Sequence, residues 1–577
     1  MKSRKWGDLS DHSEKRSLLC AMFWALVSCL AAFLLFEPNF QTNDDVFLSS
    51  LVAGKFLVSS PNEYYWPTNV LFCLALTWLA QLSTVIDWYS LIAYLMLYAA
   101  SVAVYYSIHR IAARIPVDSS SRFGLRNSIG FLSLVHLLFF HTTLFVFPQF
   151  TNIAIFCVGS ALLLVVSGCL HPPAGRKLAQ LQLVVAFVLF LSGGLLRPDS
   201  VLALVVLSSA IALYGVFFAR RVTWGILVRC VPAAFVLFAA TLFDNAYYYS
   251  ISDPAWGEFI RFRNVSTGML DYDRLLPLSI EQISSVGWST NDRDLMAAWW
   301  LVDDDVYSRA RLSRLLQLSP TKTQGILNRV SEGAIVPKIS WFPSDQLIVI
   351  GILLLAIVSL LSVKTSLIVF LLASGVWANF LLVDMMGRPA PWRVSFPVAS
   401  IFFAASLVTL AQVGRARVFQ QVCCMVITLG CITYLGWQIV PRYLEDAAYR
   451  RRMYTEIWQN MNALEGRGRH LYVVFGGDFP FELAVPPFST NSLPNDVKIY
   501  WSALPAQAPF GKEMLRSFNV QEVLPALATR EDLFLIVSAA NERLIERAYT
   551  ERYQKDVVFK PILDRTGLRV VSVKFKN

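Results

Sequence analysis

The sequence predicts an α-helical polytopic membrane protein with a small α/β domain at its C-terminal end. Three observations carry this. Of the 577 residues, 55% are hydrophobic and only 16% charged, where a soluble domain carries about a quarter charged residues; mean hydropathy is +0.51. Apolar runs of roughly 17–22 residues, long enough to cross about 30 Å of hydrocarbon, recur up to about residue 440. Beyond about residue 445 they stop, and short β-rich segments alternate with helical ones.

Spans are predicted near 18–36, 90–108, 128–147, 152–169, 179–195, 201–219, 227–246, 345–363, 365–383, 394–412 and 419–440, about eleven in all. The first is long, lacks a small-residue cleavage site and is followed by more spans, so it is not read as a signal peptide. The run from Asn69 to Leu82 is apolar but too short to cross; it reads as an interfacial or re-entrant helix. The net charge of +10 is a topology signal rather than a nucleic-acid patch. Lys2, Arg4, Lys5, Lys15, Arg16, Arg110, Arg114, Arg122, Arg126, Arg176, Lys177, Arg220, Arg221, Lys364, Arg415 and Arg417 fall in alternate segments between spans, and the short loops on the other side hold only Lys55, Arg197, Arg388 and Arg393. By the positive-inside rule the N-terminus is cytoplasmic and the C-terminal domain extracytoplasmic, across a cell (inner) membrane.

The chain therefore divides into a membrane domain, 1–445, with outer loops at 37–89 and 247–344, and an extracytoplasmic α/β domain, 446–577. The second loop is rich in Trp, Asp and Arg and reads as a folded cap. In the tail, "HLYVVFGG", "DVKIYW", "DLFLIVS", "DVVFKPIL" and "GLRVVSVKF" read as strands, "GKEMLRSFN" and "NERLIERAYTERYQ" as helices. "FGGDFP" reads as a tight turn after the first strand, without the full phosphate-loop pattern. The nine cysteines fall mostly in apolar segments, with no disulfide framework and no metal-binding spacing.

Polar density concentrates in the outer loops. "FQTNDDVFLSS" places Asn43, Asp44 and Asp45 just past the first span, and the same loop carries Glu63 within "EYYWP". Two readings compete: a cap on an interfacial helix, since Asn and Asp both cap well, or an acid–base site. Asp303, Asp304 and Asp305 read as a solvated helix end. Trp256, Trp288, Trp299 and Trp300 read either as packing residues or as platforms for a sugar face. His136 and His141, five apart in an apolar span, lack metal spacing and read as packed or hydrogen-bonded.

A long first outer loop with an acidic pair after the first span, followed by a short interfacial helix, resembles the membrane-embedded glycosyltransferases of the GT-C fold. This superfamily includes protein mannosyltransferases, oligosaccharyltransferase catalytic subunits and aminoarabinose transferases of lipid A. The resemblance rests on "NDD" at Asn43–Asp45 and on the architecture from about residue 18 to 440. It implies a GT-C-like fold and a polyprenyl-phosphate-linked sugar as donor, with a glycan, lipid or protein acceptor at the outer membrane face. Asp44 or Asp45 would then act as general base toward the acceptor hydroxyl, with Asn43 and Glu63 as substrate contacts. Arg197, Arg388 and Arg393 would bind the leaving phosphate, because a guanidinium fork donates bidentate bonds to it; their alternative is pairing with Asp199 or Asp384, or snorkelling to headgroups. Two adjacent carboxylates could instead hold a divalent cation, Mg or Mn. Other readings of the chain are a polysaccharide polymerase or ligase, a transporter or flippase, and a non-catalytic cell-envelope assembly protein.

Overall fold

The structure is a computed structural model and describes residues 4–56, 58, 60–113, 122–172, 175–199, 220–271, 274–319, 392–413, 440–464, 469–489, 497–565 and 567–576. The predicted spans at 201–219, 345–363 and 365–383, nearly all of 419–440, and Arg388 lie outside the described residues.

The chain is a polytopic helical protein. Among the described residues, six helices are long and apolar enough to cross a membrane. They are contained in α1 (Arg4–Leu35), α4 (Trp88–Ala112), α5 (Arg122–His136) with its continuation, α7 (Phe150–Leu170), α8 (Arg176–Leu196) and α9 (Arg220–Ala246). α5 runs through a π-helical turn, Leu137–His141, into α6 (Thr142–Val146). Two short helices lie between α1 and α4: α2 (Asn43–Ala53) and α3 (Val70–Leu82). At 13 residues α3 is too short to span, as its length predicted. α14 (Trp392–Val413), described below the cap, packs on α7 and α4.

Local chemistry sets the ends of these helices. α7 opens with a capping box: the Gln149 side chain accepts from the Thr151 and Asn152 amides, and Asn152 Oδ1 accepts from the Gln149 amide. Asp87 caps α4 through the Ser90 amide. α2 stops at Gly54, which adopts φ +69 and lies so close to Ser60 and Pro61 that a Cβ would meet their backbone at 2.6 Å. α7 is buried on nearly every side, and α1 is not. Leu19, Phe23, Leu26, Leu30 and Leu34 form one exposed apolar stripe along α1 at helical spacing. At the end away from the α/β domain, the buried Arg110 guanidinium donates to Glu14 (3.2 Å), Gln182 (3.0 Å) and the His171 carbonyl.

After α9, a π-helical turn at Tyr247–Ile251 leads into the cap: α10 (Pro254–Leu270), α11 (Ile280–Ser284), α12 (Thr290–Ala297) and α13 (Arg309–Leu318). Beyond α15 (Val440–Asn462) comes the α/β domain. Its strands are β1 (His470–Val474), β2 (Val497–Trp501), β3 (Leu533–Ile536), β4 (Val557–Arg565) and β5 (Leu568–Phe575), all five at the predicted places. Its helices are α16 (Phe481–Ala484), α17 (Leu504–Gln507), α18 (Pro509–Ser517), α19 (Val523–Thr529) and α20 (Ala539–Tyr553). The sheet order is β2-β1-β3-β5-β4; β2, β1 and β3 are parallel, and β5 is antiparallel to both β3 and β4.

The cap and the sheet share one hydrophobic core. Leu295, Met296, Trp300 and Tyr307 of the cap are buried with Leu471, Val473, Phe475, Ile545 and Tyr549, and Trp300 stacks on Phe475 at 5.2 Å. The Leu301 amide donates to the Ser502 carbonyl (2.8 Å). Arg552 of α20 donates to Asp303 (2.6 Å) and Asp292 (2.5 Å), and Lys512 pairs with Asp304 at 2.7 Å. The acidic run is solvated only in part: Asp303 fastens the cap to the C-terminal domain through Arg552, whereas Asp304, paired with Lys512, and Asp305 are exposed.

That assembly sits on one end of the helix bundle. Arg450 of α15 donates to the Phe36 carbonyl (2.6 Å) at the end of α1, also bonds Asp446, and lies over the Phe147 ring at 4.9 Å. Phe47 of α2 contacts Trp501 and Phe510 of the α/β domain, at 6.0 and 5.9 Å between ring centres. Trp256 of α10 stacks on Tyr64 at 4.1 Å.

Candidate functional site

Where bundle, cap and α/β domain meet, they enclose a cavity of about 390 Å³, within the range of small-molecule sites. Its bundle side is lined by Thr42, Asn43 and Asp44 at the start of α2, Phe150 and Thr151 at the start of α7, Arg197 at the end of α8, and Arg393 at the start of α14. Its cap side carries Arg263, Thr267, Asp271 and Trp299. The α/β domain contributes Gly476, Gly477, Trp501 and Ala503 to Pro505. These last residues lie at and just beyond the carboxyl ends of the parallel strands β1 and β2.

The two aspartates have different surroundings. Asp44 is half exposed to the cavity, with Oδ2 3.7 Å from Arg393 Nη1. Asp45, one residue on, turns inward and is fully buried. Its Oδ1 accepts from Tyr89 Oη (2.5 Å) and the Phe150 amide (2.8 Å), and its Oδ2 from Thr42 Oγ1 (3.1 Å). Burial raises its pKa to about 7 against the lowering effect of these donors, and the neighbouring Asp44 charge adds to the rise. Asp45 thus ties α2 to α4 and α7 and fixes where Asp44 stands. With both Asp45 oxygens engaged, the pair does not converge on one ion. Among the described residues no group of three His, Cys, Asp or Glu side chains is placed to hold a metal.

Three arginines converge on the cavity. Arg197 lies over the Phe150 ring at 5.2 Å and pairs with Asp199 at 3.4 Å, the alternative partner expected from sequence. Arg393 faces Asp44. Arg263, which sequence reasoning missed, donates through Nη1 to Asn264 (3.1 Å), while its buried Nε has no hydrogen-bond partner among the described residues. Burial, with Arg197 nearby, holds the Arg263 pKa below its ordinary value. Nothing in "IRFRN" distinguishes Arg263 from Arg261, which is exposed and pairs with Glu258; only the face of α10 decides.

Asn43 lines the cavity, and its buried Oδ1 has no partner among the described residues. Glu63 does not line it; it accepts from Tyr247 Oη (2.8 Å) at the seam between the first loop and the cap. Of the four cap tryptophans, Trp256 and Trp300 are packed in aromatic stacks, and Trp288 is buried with Nε1 donating to the Val306 carbonyl. Trp299 alone reaches the cavity, and it does so with φ +62, a strained conformation for a bulky residue. Gly476 faces it with φ +47, so close that a Cβ would lie 2.2 Å from the Ala298 carbonyl oxygen. The tight turn read in "FGGDFP" is thus a closely fitted wall of the cavity. His136 contacts Ser400 through Nε2 at 3.0 Å and is a packed helix residue, as expected.

No protein-family description and no curated protein matches the chain. Among solved structures it is similar to "ArnT from Cupriavidus metallidurans in the apo state", at 12% identity over 96% of this chain and 97% of that one, with a TM-score of 0.36. The same protein "bound to Undecaprenyl phosphate" matches at 11% identity over the same shares, with a TM-score of 0.34.

Proposed function

We propose that the chain is a GT-C-type membrane glycosyltransferase, transferring a sugar from a polyprenyl-phosphate-linked donor to an acceptor at the extracytoplasmic end of the bundle. The observation that carries this reading is the pairing of a solvent-reachable carboxylate, Asp44, with a cluster of arginines, Arg393, Arg197 and Arg263, in one cavity at the end of the spans. Glycosyl transfer from a lipid phosphate needs these two elements: a base for the incoming hydroxyl, and fixed positive charge for the departing phosphate.

Asp44 takes the proton of the acceptor hydroxyl as its oxygen bonds to the anomeric carbon. The bond between that carbon and the phosphate oxygen breaks, and its electron pair leaves with the lipid phosphate. Arg393, Arg197 and Arg263 stabilise that charge, and Arg388, five residues before Arg393 in the sequence, is assigned to them. Asp45, held near neutrality, positions Asp44. Asn43 is a polar contact for the sugar; Glu63 keeps only an indirect part, through the seam with Tyr247. The side on which the site opens follows from the Lys and Arg distribution. The acceptor is a glycan, lipid or protein.

The test is a strain lacking the protein, examined for lipid-linked sugars. Accumulation of a polyprenyl-phosphate-linked sugar, consumed by membranes containing wild-type protein and not by those containing Asp44→Asn, is expected. Absence of any accumulated lipid-linked sugar, together with no transfer in reconstituted membranes, overturns the assignment.

A further inference from the structure

Most aromatic side chains that line the transfer cavity are engaged with the protein itself. Phe47 and Trp66 lie against each other at 5.4 Å between ring centres. Tyr65 Oη donates to the Asp44 carbonyl (3.0 Å), and Phe150 lies under the Arg197 guanidinium at 5.2 Å. Trp501 packs on Phe481 at 5.2 Å, and its Nε1 donates to the Gly476 carbonyl (2.5 Å). Trp299 differs from all of these. It is half-buried, packed on one side against the core that cap and sheet share. Among the described residues its ring meets no other aromatic ring, and its indole N–H has no hydrogen-bond partner.

The backbone holds that ring in place against its own preference. Trp299 has φ +62, a left-handed conformation that glycine or asparagine takes more easily than a bulky residue. The chain is fixed on both sides of it. The Trp299 amide donates to the Met296 carbonyl (2.9 Å). Ser502 Oγ donates to the Trp299 carbonyl (3.4 Å) and accepts from the Gly476 amide (2.9 Å). The next residue, Trp300, is locked in the core on Phe475. Two consecutive tryptophans are thus turned opposite ways, one into the core and one toward the cavity. A strained backbone that the surrounding structure over-determines, carrying an unengaged ring at a cavity wall, points to a ligand for that ring.

The chemistry of an indole selects the ligand. Its face carries negative potential, and one face of a pyranose presents C–H groups made slightly positive by the ring's oxygens, so the two stack. The indole N–H can donate to a hydroxyl at the sugar's edge. Thr267 and Asp271 line the same side of the cavity and offer further oxygens to hydroxyls. Gly477, with no Cβ and open space beside it, leaves room there. Arg197 and Arg393 stand on the bundle side, so phosphate-binding charge and aromatic platform occupy different walls.

We infer that Trp299 is the platform for the ring of the transferred sugar, and that it selects the sugar-bearing donor over the bare lipid phosphate. The inference rests on the reading of the cavity as a glycosyl-transfer site. It has a kinetic corollary: once the sugar has left, the spent lipid phosphate no longer touches the platform, which favours its exchange for fresh donor.

The experiment titrates full-length protein in mild detergent with bare undecaprenyl phosphate and with a panel of synthetic undecaprenyl-phosphate-linked hexopyranoses and pentopyranoses. Bound lipid is read by native mass spectrometry. The wild type is expected to bind at least one sugar-bearing lipid more tightly than the bare one. Trp299→Leu keeps an apolar side chain without an aromatic face; it should weaken binding of that lipid by roughly tenfold and bind bare undecaprenyl phosphate as the wild type does. Trp299→Phe should keep most of the preference. A wild type without preference for any sugar-bearing lipid overturns the inference, and so does a preference undiminished in Trp299→Leu. Equal weakening of bare and sugar-bearing lipid by Trp299→Leu also overturns it, because the ring would then shape the cavity or meet the prenyl chain. Failure of the wild type to bind bare or sugar-bearing lipid overturns the transfer reading itself, and the inference with it.

Discussion

Asp44 Oδ2 and Arg393 Nη1 stand 3.7 Å apart, brought together from the first outer loop and the start of α14. That distance is a weak ion pair rather than a committed hydrogen bond. In the proposed reaction, a phosphate that draws Arg393 toward itself would release the carboxylate to accept a proton, and the pair would couple arrival of the donor to availability of the base.

The adjacent aspartates should separate cleanly on substitution. Asp44→Asn removes the base and is expected to lower turnover by on the order of 10²–10⁴-fold, with membrane insertion unchanged. Asp45→Asn should stay active: the amide oxygen can keep the bonds from Tyr89 and Phe150, and its nitrogen can donate to Thr42. Rates measured in membranes and normalised to folded protein decide. Equal loss from both would return the two residues to one undivided role.

The arginines should distinguish fork from point charge. Arg393→Lys keeps the charge but loses bidentate geometry, and is expected to lower turnover by roughly tenfold or more. Arg263→Gln, in the same cavity, should weaken donor binding without disturbing the cap core, since the one hydrogen bond it gives up, from Nη1 to Asn264, is exposed. Donor titrations at saturating acceptor give the readout; wild-type constants from both variants would remove them from the site.

Stability should depend on pH through Asp45. An unfolded aspartate ionises near pH 4, whereas the folded Asp45 does so only at about 7. Between those values the native state holds the extra proton, so this residue's contribution falls as pH rises from about 4 to about 7 and then levels off. Asp45→Asn lacks that loss. The Tm difference between variant and wild type should widen in the variant's favour across that window. A constant difference would mean Asp45 is ionised throughout.

Arg552 should matter for the cap rather than for chemistry. Its side chain is 17% exposed and those of Asp292 and Asp303 are 11 and 13%. Removing one member of such a group leaves buried charge uncompensated and costs about 3–5 kcal/mol. Arg552→Leu is thus expected to loosen the cap, read as faster limited proteolysis within residues 254–319. The combination with Asp292→Asn and Asp303→Asn should recover much of that loss.

Much of this was legible in the sequence because the signals are periodic or compositional. Span lengths follow from the thickness of hydrocarbon, the five strands from their β-branched runs, and α3 from a run too short to cross. The site was half legible. "NDD" is an acidic pair just past the first span, the arginines Arg197 and Arg393 break the charge bias of the chain, and the structure brings Asn43, Asp44 and both arginines to one cavity. Which aspartate faces it was not legible, because one helical step turns Asp45 from cavity to core. Arg263 and Trp299 were hidden for a related reason: both depend on how the cap packs, and neither has a local pattern that separates it from its neighbours. The docking of Asp303 on Arg552 joins residues far apart in sequence, so no local pattern marks it.

The core shared by the cap and the α/β domain has a consequence for the making of the protein. The cap leaves the ribosome well before β1 to β5 exist, and its half of that core, Leu295, Met296, Trp300 and Tyr307, has nothing to bury against until they arrive. Until then the cap must wait as an unfinished surface, and unpaired apolar faces aggregate. Closure of the cavity is therefore among the last events of biogenesis. A chain cut short before the C-terminal strands would lack Gly476, Gly477, Trp501 and Ala503 to Pro505, and with them one wall of the cavity.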